Sequence, residues 1–131
     1  LYKILQLRSE VFVVEQNCVF QDCDDKDEQS YHLCGWQEER LVAYTRLMPP
    51  GLAYQEMSIG RVVTSKSVRG TKTGRELMQI SLEKIVELFE KQSVKIGAQL
   101  YLKKFYQSFG FIQCSDVYDE DGIDHIKMLL N

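Results

Sequence analysis

The sequence is poor in the residues that commit a chain to a special environment. It has two prolines, eight glycines and one tryptophan in 131 residues, which excludes a collagen-like repeat or a proline-rich linker. It has no basic excess: sixteen Lys and Arg against nineteen Asp and Glu give a net charge of −3, without the uniform positive field of a dedicated nucleic-acid binder. No apolar run approaches the ~18 to 20 residues needed to cross a bilayer, and the first residues lack the basic, apolar and small-residue zones of a secretory signal. A cytoplasmic chain that binds neither nucleic acid nor membrane is expected. Cys18, Cys23, Cys34 and Cys114 are loosely spaced, and a chain of this length buries a sufficient core without staples, so reduced thiols are expected. Cys18, Cys23, His32 and Cys34 match no usual zinc spacing. The acidic run from Asp22 has Asp27 and Leu33 where a calcium loop needs Gly and Glu. No metal site is expected.

What the sequence does contain is a set of clear periodicities and no internal repeat or linker, so residues 1–131 read as one domain. Leu1, Ile4, Leu5, Val11, Phe12 and Glu15 recur at helical intervals over residues 1–15, with Arg8 on the same stripe. A charge on an apolar face needs a carboxylate or several carbonyls, so Arg8 reads as a structural anchor. Residues 21–29 have no apolar period and read as a solvated acidic loop, or as an attractor of a cationic amine. Period-two runs at 31–37 and 41–48 predict antiparallel strands, halted at Pro49-Pro50-Gly51. Residues 57–64 predict another strand, 75–91 an amphipathic helix, 94–98 a strand and 100–109 a helix stopped by Gly110. Residues 111–118 and 125–130 predict a closing hairpin around a tip at 119–122. Trp36 and the tyrosines read as core and sheet residues. The sum is an α+β domain around a mostly antiparallel sheet flanked by helices.

The junction between the strand at 57–64 and the helix at 75–91 favours an anion. Small residues there leave successive backbone N–H groups free to converge, and the first helical turn adds unpaired donors with partial positive charge. Arg69, Lys72 and Arg75 add side-chain charge. The nucleotide P-loop pattern fails because Gly74 is followed by Arg75-Glu76, and the three-glycine dinucleotide pattern is absent. Arg69-Gly70-Thr71-Lys72-Thr73-Gly74, after an apolar strand, resembles the coenzyme A loop of the Gcn5-related N-acetyltransferases (GNAT), with Lys72 where that family more often has a glycine. The run from Leu102 to Phe111, with Tyr106 on a helix that ends in Gly-Phe, is similar to a second signature of the family. More narrowly, Leu7–Gln16, Gly97-Ala98-Gln99, Phe105–Phe111 and Tyr118–His125 resemble the ElaA-like branch.

The resemblance implies the GNAT acyl-CoA N-acyltransferase fold, with a first strand lying before Leu1. It implies acetyl-CoA as co-substrate and transfer of an acetyl or short acyl group directly to a primary amine of a small molecule or peptide. On this reading the backbone of Val62, Val63 and Thr64 pairs with the pantetheine arm between strands that splay apart. The loop Arg69, Gly70, Thr71, Lys72, Thr73 and Gly74 holds the diphosphate, Gln99 lines the cofactor site, and Tyr106 protonates the departing thiolate. Val62 supplies the oxyanion donor, and no cysteine is placed as an acyl carrier. Glu15, His32, Glu56 and His125 are candidate bases, with His125 first because its ordinary pKa suits the task and it lies beside the hairpin tip. Glu15 is alternatively a partner for Arg8. Two other readings stay open: a non-catalytic acyl-CoA sensor, and an acyltransferase like the acyl-homoserine-lactone synthases, which the Arg-x-x-Val-Phe start resembles. A homodimer through sheet edges or the hairpin is compatible with the sequence, and no residue specifies it.

Overall fold

The computed structural model describes residues 1–131. The first helix, α1 (Tyr2–Arg8), continues as a π-helical segment over Ser9–Glu15. Its wider turns show in the bond from the Gln16 N–H to the Val11 carbonyl at 3.1 Å. Three antiparallel strands follow, β1 (Tyr31–Gln37), β2 (Arg40–Met48) and β3 (Ser58–Thr64), in the order β1-β2-β3. Helix α2 (Thr73–Phe89) begins two residues before the apolar stripe predicts, because Thr73 and Gly74 already form its first turn after the left-handed Lys72, and it ends two residues early, at the positive φ of Glu90. Strand β4 (Val94–Gln99) leads through a 3-10 turn at Leu100–Leu102 into α3 (Lys103–Gln107), which ends at Gly110 with φ +100°.

The C-terminal hairpin differs from its prediction. Residues 111–118 are not one strand but β5 (Ile112–Gln113) and β6 (Tyr118–Glu120), and both pair with the long β7 (Ile123–Leu130). The Ser115 hydroxyl explains the break: it takes the Lys127 N–H at 2.8 Å, a donor that a continuous strand would have used. Strand β7 lies between β4 and β5 in the second sheet.

One apolar core joins the sheets. Met78 and Ile85 of α2, Met57 and Ile59 near β3, Ile96 of β4, and Ile126 and Met128 of β7 are all nearly or fully buried within it. At ~1.5–3 kcal/mol per fully buried side chain, this cluster is the main stabilising term. Ser81 sits on the buried stripe of α2 with its hydroxyl 2.8 Å from that of Thr45 and 2.7 Å from the Leu77 carbonyl, so both hydroxyls are satisfied.

The sheets meet at one point. A parallel bridge joins Met57 to Val94, with the Lys95 N–H 3.0 Å from the Met57 carbonyl, and no further pairing of β3 with β4 follows. The strands therefore part, as the resemblance implies, and leave a cleft between them. A bulge shapes the β3 side: Tyr44 pairs with Val63 and Arg46 with Gly60, so Thr45 alone faces both Arg61 and Val62. Arg61 takes the left-handed position at φ +49°.

The segment at 21–29 is not a solvated acidic loop. Asp22 is 8% exposed and receives the Arg8 and Arg61 Nε donors, each at 2.8 Å. Asp24 accepts from both terminal nitrogens of Arg46, at 2.7 and 2.8 Å, and Asp27 accepts from Arg8 at 2.7 Å. Arg8 is fully buried and Arg46 nearly so. Burial opposes ionisation of Asp24 and Asp27, but the hydrogen bonds and charges of Arg46 and Arg8 outweigh it and hold both carboxyls below their usual range. The run looks solvated in sequence because its partners lie on three other elements. Trp36, read as a core or sheet residue, is on β1 but half exposed.

Candidate functional site

The cleft between β3 and β4 has a volume of about 1090 Å³ and is lined from both ends of the chain. Val62, Val63, Thr64, Arg69, Gly70, Lys72, Thr73, Gly74, Gln99, Tyr106 and His125 all line it. Thr71 does not; its hydroxyl faces inward to the Val68 carbonyl and, at 2.7 Å, the Thr73 hydroxyl. The other loop residues and the more distant candidates thus share one concavity, and Thr71 is exposed outside its lining.

At one end the chain leaves β3, makes a 3-10 turn at Lys66–Val68 and enters α2 through Gly70 at φ +83° and Lys72 at φ +66°. Two left-handed residues in this short span lead the backbone into α2, whose first-turn N–H groups have no intrahelical partner, and Gly70, Lys72, Thr73 and Gly74 line the cleft there. A lysine in that conformation costs ~1–2 kcal/mol, a strain glycine would not carry. The side-chain charge differs from expectation. Arg69 is chelated by the Glu15 carboxylate and also donates to the Thr64 carbonyl at 3.0 Å. Arg75 lies 4.6 Å over the Phe109 ring and donates to the Ser108 hydroxyl at 2.9 Å. Of the three cations, Lys72 alone has no ion pair or ring partner.

In the middle of the cleft is Tyr106 of α3, 5% exposed and packed edge-on to Phe105 and Phe111. Burial pushes its phenol up to about 12, and no protein hydrogen bond to its hydroxyl opposes that shift. The Arg61–Val62 bulge and Val63 line the same cleft from β3. Gln99 closes the floor, donating to the Gln16 side chain at 3.2 Å.

The far end is walled by Phe20, Gln21 and Asp24 from the loop after the π-segment and by Glu120, Asp121 and Ile123 from the hairpin tip. His125, 8% exposed, has Nδ1 2.8 Å from the Ile123 carbonyl, which can only accept, so the proton is on Nδ1. Its Nε2 lies 3.2 Å from Glu120. The Cys18 thiol donates to the Asp121 carbonyl at 3.0 Å, tying the end of the π-segment to the hairpin tip. Cys18 is thus a cleft residue, which its position in the sequence did not suggest.

The other base candidates are placed elsewhere or engaged. Glu15 is a cleft residue, but its partner is Arg69 and not Arg8, and that hydrogen bond holds its carboxyl below the usual range. His32 lies outside the cleft lining, with Nδ1 2.5 Å from the Tyr44 hydroxyl and Nε2 3.0 Å from the Asp27 carbonyl. Glu56 is also outside. Sequence reasoning missed Glu120, Phe20 and Arg61. Glu120 alone carried a signal, since Glu120, Ile123 and His125 belong to one hairpin whose pairing brings them to one end.

Comparison with known proteins shows the family and the fold. The family model "Acetyltransferase (GNAT) domain" matches residues 7–131. The protein ElaA of Escherichia coli K12 is 47% identical over 130 residues, covering 98% of this chain and 85% of that one. Its crystal structure superposes with a TM-score of 0.92 over 99% of this chain and 88% of that chain, at 45% identity. An acyl-CoA N-acyltransferase from Pseudomonas aeruginosa is 40% identical, with a TM-score of 0.92 over 99% and 89% of the two chains. A GNAT acetyltransferase from Elizabethkingia anophelis with acetyl-CoA bound is 14% identical, with a TM-score of 0.66 over 82% and 79%, a likeness of fold alone. No helix here is long and apolar enough to cross a membrane.

Proposed function

The chain belongs to the GNAT acetyltransferase family, and from that premise we propose that it transfers an acetyl or short acyl group from coenzyme A directly to a primary amine. One observation carries this reading: a loop of backbone donors opening α2 and a buried phenol without a protein partner border the same cleft. The first suits a diphosphate. The second suits a leaving group that needs a proton.

In this mechanism the diphosphate rests on the N–H groups of residues 70–74 with Lys72 beside it, and the pantetheine arm lies along Val62–Thr64 as an added strand. The amine nitrogen attacks the thioester carbonyl carbon. The Val62 N–H, at the bulge, holds the oxyanion that forms. Collapse re-forms the carbonyl and breaks the carbon–sulfur bond, and Tyr106 gives its proton to the leaving sulfur. A phenol at about 12 is a poor acid for a thiolate of ordinary basicity near ~8.5. The same burial penalises the thiolate, however, and raises the thiol's pKa as well, so the two stay closer than their solution values suggest. The proton lost by the amine goes to the His125–Glu120 pair: with Nδ1 donating to Ile123, the neutral ring accepts at Nε2 in place of its contact with Glu120, and Glu120 then pairs with the imidazolium formed. Tyr106 then recovers its proton from that pair through solvent.

The Cys18 thiol is occupied by the Asp121 carbonyl, which suits transfer without an acyl-enzyme. The test is to incubate the protein with acetyl-CoA and a panel of primary amines while following thiol release. Release that depends on an amine and yields an amide supports the proposal. Tight coenzyme A binding with no release for any amine replaces it with the sensor reading.

A further inference from the structure

Glu15 ends the π-helical segment and Arg69 opens the loop before α2, yet the two meet at the cleft in a two-pronged ion pair. The same guanidinium reaches the Thr64 carbonyl at the end of β3 at 3.0 Å. Three elements are thereby joined through one side chain. We propose that Arg69 is a positioning residue and not a diphosphate ligand, and that Glu15, by gripping it, sets the distance between β3 and the anion loop. This rests on the coenzyme A reading above and adds to it the residues that fix the cofactor site.

The argument begins with what coenzyme A requires. Its diphosphate and thioester are joined by an arm of fixed covalent length, so donors at 70–74 help only if held at a set separation from Val62–Thr64. Few bonds hold the intervening segment. Beyond its own turn, the Ser65 N–H reaches the Val42 carbonyl at 2.7 Å, the Val68 side chain is buried, and the next external hydrogen bonds are those of Arg69. Gly70 and Lys72, both left-handed, come immediately after it, so movement of Arg69 would redirect every donor that follows. Arg69 is suited to this task. A planar fork can hold a carboxylate with two nitrogens and still offer an N–H to a carbonyl, which a lysine cannot do. The same contacts use three of the guanidinium's five N–H donors, including the forked pair that would grip a phosphate with two nitrogens.

The sign of one substitution separates the alternatives. Glu15→Gln removes a negative charge from the border of an anion site and frees Arg69. Were Arg69 a diphosphate ligand, or were charge alone decisive, coenzyme A would bind more tightly. A positioning role requires the reverse: the Kd for coenzyme A and the KM for acetyl-CoA rise about five- to tenfold, while kcat stays within about twofold. Arg69→Lys, which keeps the charge and loses the fork, should behave alike. Calorimetry on the full chain reads the Kd, and the unfolding midpoint verifies that each variant is folded. An unchanged or lower Kd in Glu15→Gln, or a wild-type Kd in Arg69→Lys, would overturn the proposal. Wild-type protein that fails to bind coenzyme A would instead overturn the function it rests on.

Discussion

The two ends of the cleft are built on opposite principles. The anion end takes its donors from one continuous stretch of backbone, aimed by two left-handed residues and held in place by a single side-chain pair, Glu15–Arg69. The acceptor end is assembled at long range from side chains, with the loop after the π-segment held down by Arg8, Arg46 and Arg61 and the hairpin tip tied to it through Cys18. A backbone site tolerates change in most side chains and keeps its ligand. A side-chain site fails with its supports. Donor chemistry can therefore be common to a family while the acceptor differs from member to member.

That contrast can be broken in several places. Arg8→Ala strikes the support of the acceptor end: it empties the fully buried Arg8 position and leaves Asp22 to Arg61 and Asp27 to Arg46 alone. Breaking such a buried pair costs about 3–5 kcal/mol, and urea unfolding should show a loss of that size. A loss below about 1 kcal/mol would mean that the network adapts and that the two ends differ less than claimed. Tyr106→Phe acts between the ends: kcat should fall about 100-fold, within the range for loss of a general acid, with coenzyme A affinity within about threefold of wild type. Equal turnover would assign the proton to water.

Acid should separate the ends without mutation. The carboxyls of Asp24 and Asp27 lie lower in the folded protein than in the unfolded chain. The unfolded state therefore takes up protons first as pH falls, and the stability these groups contribute is complete above about pH 4 and lost below it. Chemical unfolding across pH 3–6 should show this loss, and Asp24→Asn should flatten it. The smallest effect belongs to the anion end. A Cβ at Gly70 would meet nothing within 4 Å, but φ is +83°, so Gly70→Ala should cost about 1–2 kcal/mol through backbone conformation alone and raise the acetyl-CoA KM a few-fold.

The same contrast explains what could be read without the structure. The Arg69–Gly74 loop was legible as a candidate site because it lies in consecutive residues between a strand and a helix, and all of it but Thr71 lines the cleft. Tyr106 was legible from its place before Gly110-Phe111. The role of 21–29 was not, because nothing local records that Arg8, Arg46 and Arg61 converge on it, and an acidic run whose cations lie on a helix and two strands looks solvated. Nor was the π-helical segment, whose apolar spacing over 1–15 fits an ordinary helix. The bulge at Arg61–Val62 left no mark either, since an arginine with positive φ is held by Asp22 and Asp24 from outside its own strand. Residues 111–118 failed for a different reason. Their alternation is that of a strand, but the Ser115 hydroxyl captures a ladder donor and divides the run.

The central claim is that the backbone opening α2 binds a diphosphate whose attached thioester reaches Tyr106. Calorimetric titration with coenzyme A and, in parallel, with pantetheine, which has the same thiol arm and no diphosphate, tests it most directly. The account predicts saturable binding of coenzyme A and affinity for pantetheine at least about 100-fold weaker, a difference of about 2.7 kcal/mol. Equal affinities, or no heat with coenzyme A, would contradict it.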